Sequence, residues 1–91
     1  MTNTRAQQVG ERIRAARSRK GMSQVGLSQL LGAKFGNNPE TLRRSIVNWE
    51  TGKHEPRGHY LEAIAEATDQ PLDFFRPEPR RDVAPVAPEA A

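Results

Sequence analysis

The sequence contains no cysteine, so disulfide bridges and thiolate zinc sites are excluded, and the redox compartment is left unmarked. It has no apolar run near the roughly 18 to 20 residues that cross a bilayer, and its N-terminus has no signal-peptide core. Its 91 residues, only 35% of them hydrophobic, suit one small domain with a core made by helix faces. We therefore expect a soluble, cytoplasmic, all-α protein.

Residues suited to catalysis are also scarce. The chain has two histidines, no cysteine nucleophile and no glycine-rich phosphate loop. His59, Glu62 and Glu66 share one helix face at i, i+3 and i+7 and could be drawn as a metal site. Three such residues on a short surface helix are more often a solvated face. We expect a non-enzyme without a cofactor or a metal ion.

Charge is distributed unevenly along the chain. Residues 1–57 carry 11 Lys and Arg against four acids, a net of +7, whereas residues 58–91 carry three Arg against seven acids, a net of −4. A basic segment of this kind favours a polyanionic partner, although an ordinary solvated helix surface has a similar composition. The helix pattern must therefore decide between the two interpretations.

Apolar spacing and end signals predict a series of short helices. The predicted helices cover about residues 5–20, 24–31, Pro39 or Leu42 to 51, 59–68 and a short fifth at 71–75. The first begins with Thr4 and Gln7 at the spacing of a capping box. We expect a domain at 5–75, a flexible N-terminus at 1–4 and a disordered tail rich in Pro and Ala at 76–91.

The third helix has two chemically different faces. Leu42, Ile46 and Trp49 fall at i, i+4 and i+7, which places them in one stripe facing the core. The outward residues are Arg43, Arg44, Val47 and Asn48. Gly52 ends the helix, and cations follow it. A polar helix face flanked by cations suits a negatively charged partner.

These features together resemble the XRE-like helix-turn-helix family of phage repressors and Cro proteins. The resemblance spans about residues 7–75. It is carried by Gly10 to Arg17, Gly21 to Gln24, Leu27 to Gly32, Ile46 to Pro56, Tyr60 to Ala65, and Pro71 with Leu72. It implies a compact bundle of four to five helices and a transcriptional regulator, phage or prokaryotic, that binds double-stranded operator DNA. Helix 3 would read the major groove, and we expect a repressor that is nucleoid-associated when bound.

The resemblance also implies a role for individual residues. The residues expected to contact bases are Arg43, Arg44, Val47 and Asn48. Arginine can pair with guanine, asparagine can pair with adenine, and valine can contact a thymine methyl group. Phosphate contacts are expected from Ser23, Gln24, Lys53 and Arg57. Arg17 and Glu50 are expected to form a partly buried structural ion pair.

The segment from Gly32 to Ser45 is longer than the tight turn usual in this family. If helix 3 begins at Pro39, which we favour, Glu40 and Thr41 join the outward face and become candidates to approach bases. Glu40 could then accept a hydrogen bond from a cytosine amino group. If Thr41 is instead the cap, residues 33–40 form a loop and Lys34 is a phosphate candidate.

Two expectations concern protein partners. An alternative function is an antitoxin that binds operator DNA with its basic domain and a partner protein with the tail from Arg76. A homodimer, at least on DNA, follows from paired operator half-sites. Adjacent Phe74 and Phe75 cannot both face one core, so one of them could form a self-association patch with Leu72; otherwise both lie under helix 4.

Overall fold

The computed structural model describes residues 4–76, and within them the chain is helical without a strand. The elements are α1 (Arg5–Arg19), α2 (Gln24–Phe35), α3 (Pro39–Glu50), α4 (Gly58–Ala67) and a 3₁₀ helix (Leu72–Phe75). This confirms the all-α prediction. None of these helices is long and apolar enough to cross a membrane. The predicted flexible N-terminus and disordered tail lie, except for Thr4 and Arg76, outside the described residues.

Helix α1 begins where the capping box predicts. The Gln7 amide donates to the Thr4 hydroxyl oxygen at 3.1 Å, and the Thr4 amide donates back to Gln7 Oε1 at 2.9 Å. This reciprocal pair satisfies two amides that have no partner within the helix. The beginning of α1 is thus determined by local sequence.

Helix α2 extends one turn beyond residue 31, so its predicted end is wrong. Gly32 is buried inside α2, where a Cβ atom would lie 2.8 Å from the carbonyl oxygen of Asn37. Only glycine, which has no side chain, allows residues 37–39 to pack this closely against α2. The helix ends at Gly36, whose φ of +70° lies in the left-handed region that glycine enters without steric cost.

Helix α3 begins at Pro39, which confirms the favoured alternative. Asn38 Oδ1 accepts from the amides of Glu40 at 2.8 Å and Thr41 at 3.3 Å, and proline occupies the first helical position. The alternative loop over residues 33–40 is therefore wrong. Only residues 36–38 connect the two helices. The residues that make the segment from Gly32 to Ser45 longer than usual belong mostly to the end of α2 and the beginning of α3.

The core is formed by one face of each helix and by the 3₁₀ helix. Its buried apolar residues are Val9, Ile13, Ala16, Leu27, Leu31, Leu42, Ile46, Trp49, Ala63, Ile64, Ala65 and Phe75. Helices α1 and α3 approach closely at Gly10, where a Cβ atom would lie 2.1 Å from the Trp49 carbonyl oxygen. Burial of the predicted stripe of α3 leaves its opposite face available.

The two adjacent phenylalanines divide between the core and α1. Phe75 is fully buried, whereas Phe74 is partly exposed and lies under the guanidinium groups of Arg12 and Arg19, 5.7 and 5.2 Å from its ring centroid. The Phe74 carbonyl also accepts from Arg12 Nη1 at 2.9 Å. Phe74 packs edge to face against the Phe75 ring, with the centroids 5.3 Å apart, and beside arginines of the same chain. The two rings therefore stay in contact, and the self-association patch with Leu72 stays a prediction.

Candidate nucleic-acid interface

The outward face of α3 is polar and accessible. Thr41 and Arg44 are exposed, Arg44 with 76% of its side chain accessible, and Arg43, Val47 and Asn48 are partly exposed. All five predicted base-reading residues therefore lie on one rigid helix whose other face is fixed in the core. Side chains at these positions are displayed together and can contact a surface laid against α3.

Glu40 lies within this face and pairs with its arginines. The carboxylate accepts from Arg43 Nη2 at 2.8 Å and from Arg43 Nε at 3.3 Å, and one oxygen lies 4.0 Å from Arg44 Nε. The hydrogen bond and charge of Arg43, assisted by the charge of Arg44, hold the pKa of Glu40 below its ordinary value. Glu40 is thus ionised at neutral pH and engaged chiefly with Arg43.

A Schellman motif ends α3 and positions Lys53, one of the predicted phosphate contacts. The Lys53 amide donates to the Asn48 carbonyl at 2.9 Å, and the Gly52 amide donates to the Trp49 carbonyl at 3.2 Å. Gly52 has a φ of +81°, and a Cβ atom there would lie 2.9 Å from the Gln7 Cα, so no other residue fits well. Lys53 directly follows Gly52, so its exposed side chain lies beside the end of α3.

The N-terminus of α2 carries two further predicted phosphate contacts. The Ser23 hydroxyl oxygen accepts from the Gly26 amide at 2.9 Å and caps the helix. The amides of Gln24 and Val25 belong to the first turn, which has no carbonyl partners within the helix. This end of α2 can therefore offer donors and partial positive charge to an oxygen anion.

The Gln24 side chain has a structural contact that the sequence did not indicate. Its Nε2 donates to Glu50 Oε1 at 3.0 Å, and the residue is partly buried. The contact leaves the amide oxygen and the second N–H of Gln24 available for a further partner. The N-terminus of α2 is thereby attached to the last residue of α3.

The predicted ion pair between Arg17 and Glu50 is present and largely buried. Arg17 Nε lies 2.7 Å from Glu50 Oε2, and Nη2 lies 3.0 Å from Oε1, which makes the pair bidentate. Only 14% of the Arg17 side chain and 4% of the Glu50 side chain are exposed. Arg17 Nη1 also donates to the Met22 carbonyl at 2.9 Å, so the guanidinium links α1, α3 and the chain before α2.

The two remaining predicted phosphate contacts differ in position. Arg57 is the exposed N-cap residue of α4 and makes no side-chain capping bond. Lys34 lies on the last turn of α2, with Nζ 3.5 Å from Glu66 of α4. Lys34 is therefore on a helix that faces α4, and the loop in which it was expected does not exist.

The metal arrangement considered for α4 does not form. Among residues 4–76, no group of three or more His, Asp or Glu is placed to hold a metal ion. His59 instead lies in an aromatic cluster, with its ring centroid 5.4 Å from that of Phe35 and 4.3 Å from that of Tyr60. The Tyr60 hydroxyl accepts from Asn37 Nδ2 at 2.8 Å and so supports the connection between α2 and α3.

A helix-turn-helix family model matches residues 13–75, more than half of the chain. The chain belongs to the XRE-type helix-turn-helix family. This XRE-type protein is accordingly a DNA-binding transcriptional regulator, and its family is regulatory and not typically enzymatic. Comparison with curated proteins and with solved structures found no match to it.

Two contacts at the candidate interface of this XRE-type protein, Glu40 with Arg43 and Gln24 with Glu50, were not predicted from the sequence. The spacing of Glu40 and Arg43 at i and i+3 is a recognisable signal for an ion pair on a helix. The contact of Gln24 with Glu50 has no such signal, because the residues lie 26 positions apart on different helices. Only the packing of α2 across α3 brings them together.

Proposed function

We propose that this regulator is a repressor that binds operator DNA through the major groove, with α3 as the recognition helix. The observation that carries the proposal is the polar face of α3, which displays Thr41, Arg43, Arg44, Val47 and Asn48 while the opposite face is buried. Arginine and asparagine can each make two hydrogen bonds to a purine edge, and valine and threonine can contact a thymine methyl.

Phosphate contacts are proposed on both sides of this face. The N-terminus of α2, with Ser23 and Gln24, would hold one strand, and Lys53 and Arg57 beyond α3 would hold the other. The attachment of Gln24 to Glu50 supports this arrangement, because it fixes the α2 terminus relative to α3. We leave Lys34 out of the proposed set, since its ammonium group lies beside Glu66 of α4.

The regulator is proposed to act as a homodimer on DNA, because two-fold protein pairs read half-sites about one DNA turn apart. Light scattering of the protein on a duplex with two half-sites tests this. A complex containing two protomers is expected, and a single protomer on that duplex would refute the dimer. The antitoxin alternative depends on residues 76–91, of which 77–91 lie outside the described part of the chain.

The test of sequence-specific binding is selection from a random pool of double-stranded DNA. We expect enrichment of a motif with two related arms, reflecting base contacts from α3. The matched control is a quintuple variant with alanine at the five outward positions, checked for folding by circular dichroism. No enrichment by the natural protein, or the same motif from the folded quintuple variant, would refute the proposal.

A further inference from the structure

The pairing of Glu40 with Arg43 has a geometry that leaves one edge of the arginine free. The Glu40 carboxylate accepts from Nε and Nη2, which form one edge of the planar guanidinium. Arginine has five N–H donors, so two on Nη1 and a second on Nη2 point away from Glu40. That remaining edge, formed by Nη1 and Nη2, can still donate two hydrogen bonds to O6 and N7 of a guanine.

The ion pair between Glu40 and Arg43 contributes little to the free energy of unfolding, because it lies on the exposed surface. Glu40 has 59% and Arg43 36% of its side chain exposed, and exposed ion pairs between neighbouring helical residues have small effects on stability. An acidic residue on the face proposed to approach DNA would also repel phosphate. A role in orienting the arginine accounts for both observations.

We propose that Glu40 is a positioning residue that fixes the Arg43 guanidinium for end-on pairing with a guanine in the operator. The inference rests on the proposed function of α3 as the recognition helix. It makes the proposed function more specific, because it predicts that the base contacted by Arg43 is a guanine. Arg44 is not fixed in this way, since its Nε lies 4.0 Å from the nearest Glu40 oxygen.

The physical effect is preorganisation. A long arginine side chain loses rotamer freedom when it pairs with a base, and a partner that holds it beforehand removes part of that cost. The expected contribution is roughly two- to tenfold in preference for guanine. Glu40 also reduces binding to random DNA through its negative charge, so its removal should lower selectivity and raise non-specific affinity.

Three variants separate orientation from charge. Glu40→Gln removes the charge, Glu40→Asp keeps the charge but shortens the side chain so that it no longer reaches both nitrogen atoms, and Arg43→Ala removes the reader. Glu62→Gln, on the exposed surface of α4, is the control for loss of one negative charge. Thermal melts by circular dichroism establish that each variant is folded.

The assay is fluorescence anisotropy at one salt concentration on the selected operator, with each of the four base pairs placed at every position in turn. We expect Arg43→Ala to abolish a guanine preference at one position, and Glu40→Gln and Glu40→Asp to reduce that same preference roughly two- to tenfold. Only Glu40→Gln should also bind random DNA more tightly. Glu62→Gln should retain every preference.

Three outcomes would overturn the inference, and they are distinguishable. A full guanine preference in both Glu40 variants, at a position that Arg43→Ala relaxes, would mean that Glu40 does not orient the reader. No relaxation by Arg43→Ala would mean that Arg43 does not read a base. If the natural protein enriches no motif in the first place, the proposed function fails and this inference fails with it.

Discussion

Replacing Glu50 with glutamine tests how strongly the carboxylate at the end of α3 stabilises the fold. The carboxylate accepts three hydrogen bonds, two from Arg17 and one from Gln24, and is 4% exposed. A glutamine amide keeps one acceptor oxygen, so at least one donor of Arg17 must face an NH₂ group. The arginine charge also loses its buried partner, and breaking such a pair typically costs about 3–5 kcal/mol.

This loss is large for a domain of this size. At about 0.05–0.15 kcal/mol per residue, the described domain has a free energy of unfolding of roughly 4–11 kcal/mol. We expect Glu50→Gln to lower it by about 3 kcal/mol, toward the lower end of the range because one acceptor is kept. Urea unfolding followed by circular dichroism measures the change, with an unaltered m value indicating that the two states are otherwise the same.

An exposed ion pair of the same chain provides the matched control. Arg5 Nε lies 2.6 Å from Glu55 Oε2, but the side chains are 69% and 37% exposed. Glu55→Gln should therefore cost less than about 1 kcal/mol. Arg17→Met with Glu50→Gln should be less destabilising than the sum of the single changes. Equal losses in Glu50→Gln and Glu55→Gln would show that burial does not set the strength of the Glu50 contacts.

Further predictions concern packing, DNA contact and pH. Gly10→Ala should lower the melting temperature strongly, because its methyl group would overlap the Trp49 carbonyl; an unchanged thermal melt would contradict this packing. Arg44→Ala should weaken operator binding by roughly 1–3 kcal/mol and relax one base position, and equal losses on random DNA would remove it from the base-reading set. Lys53→Ala should weaken all sequences alike and lower the salt slope by about one, as measured by anisotropy titrations at several salt concentrations. Because its folded-state pKa is lowered, Glu40 contributes stability above the ordinary glutamate pKa and loses it as the pH falls through the lowered value. An NMR titration should find that low pKa, and operator preference should be constant between pH 6 and 8; an ordinary pKa for Glu40 would contradict the pairing.

Local signals determined much of the fold, and those parts could be predicted. The capping box of Thr4 and Gln7, and Asn38 before Pro39, mark helix starts through contacts made within a few residues. The apolar stripe of α3 likewise follows from its own spacing, and it placed the outward residues correctly on one face. Base and phosphate contacts themselves stay predictions that DNA-binding measurements must test.

Long-range packing determined what could not be predicted. Gly32 and Gly36 both fit a helix end in the sequence, and only the approach of Asn37 and Pro39 to Gly32 distinguishes a buried glycine from a terminal one. Gly10 is similar, because the Trp49 carbonyl that requires it is distant in sequence. Residue types alone do not identify the helix that will lie against them.

The attachment of Arg17 and Gln24 to one carboxylate of α3 has a consequence for the DNA. It fixes the separation, within the protein, between the N-terminus of α2 and the face of α3 that is proposed to read bases. A duplex whose groove width differs from that separation would have to bend or change width to make both sets of proposed contacts. The energy of that deformation depends on base sequence, including at base pairs the protein never touches. The regulator should therefore also discriminate among operators by the stiffness of the DNA between its contacts.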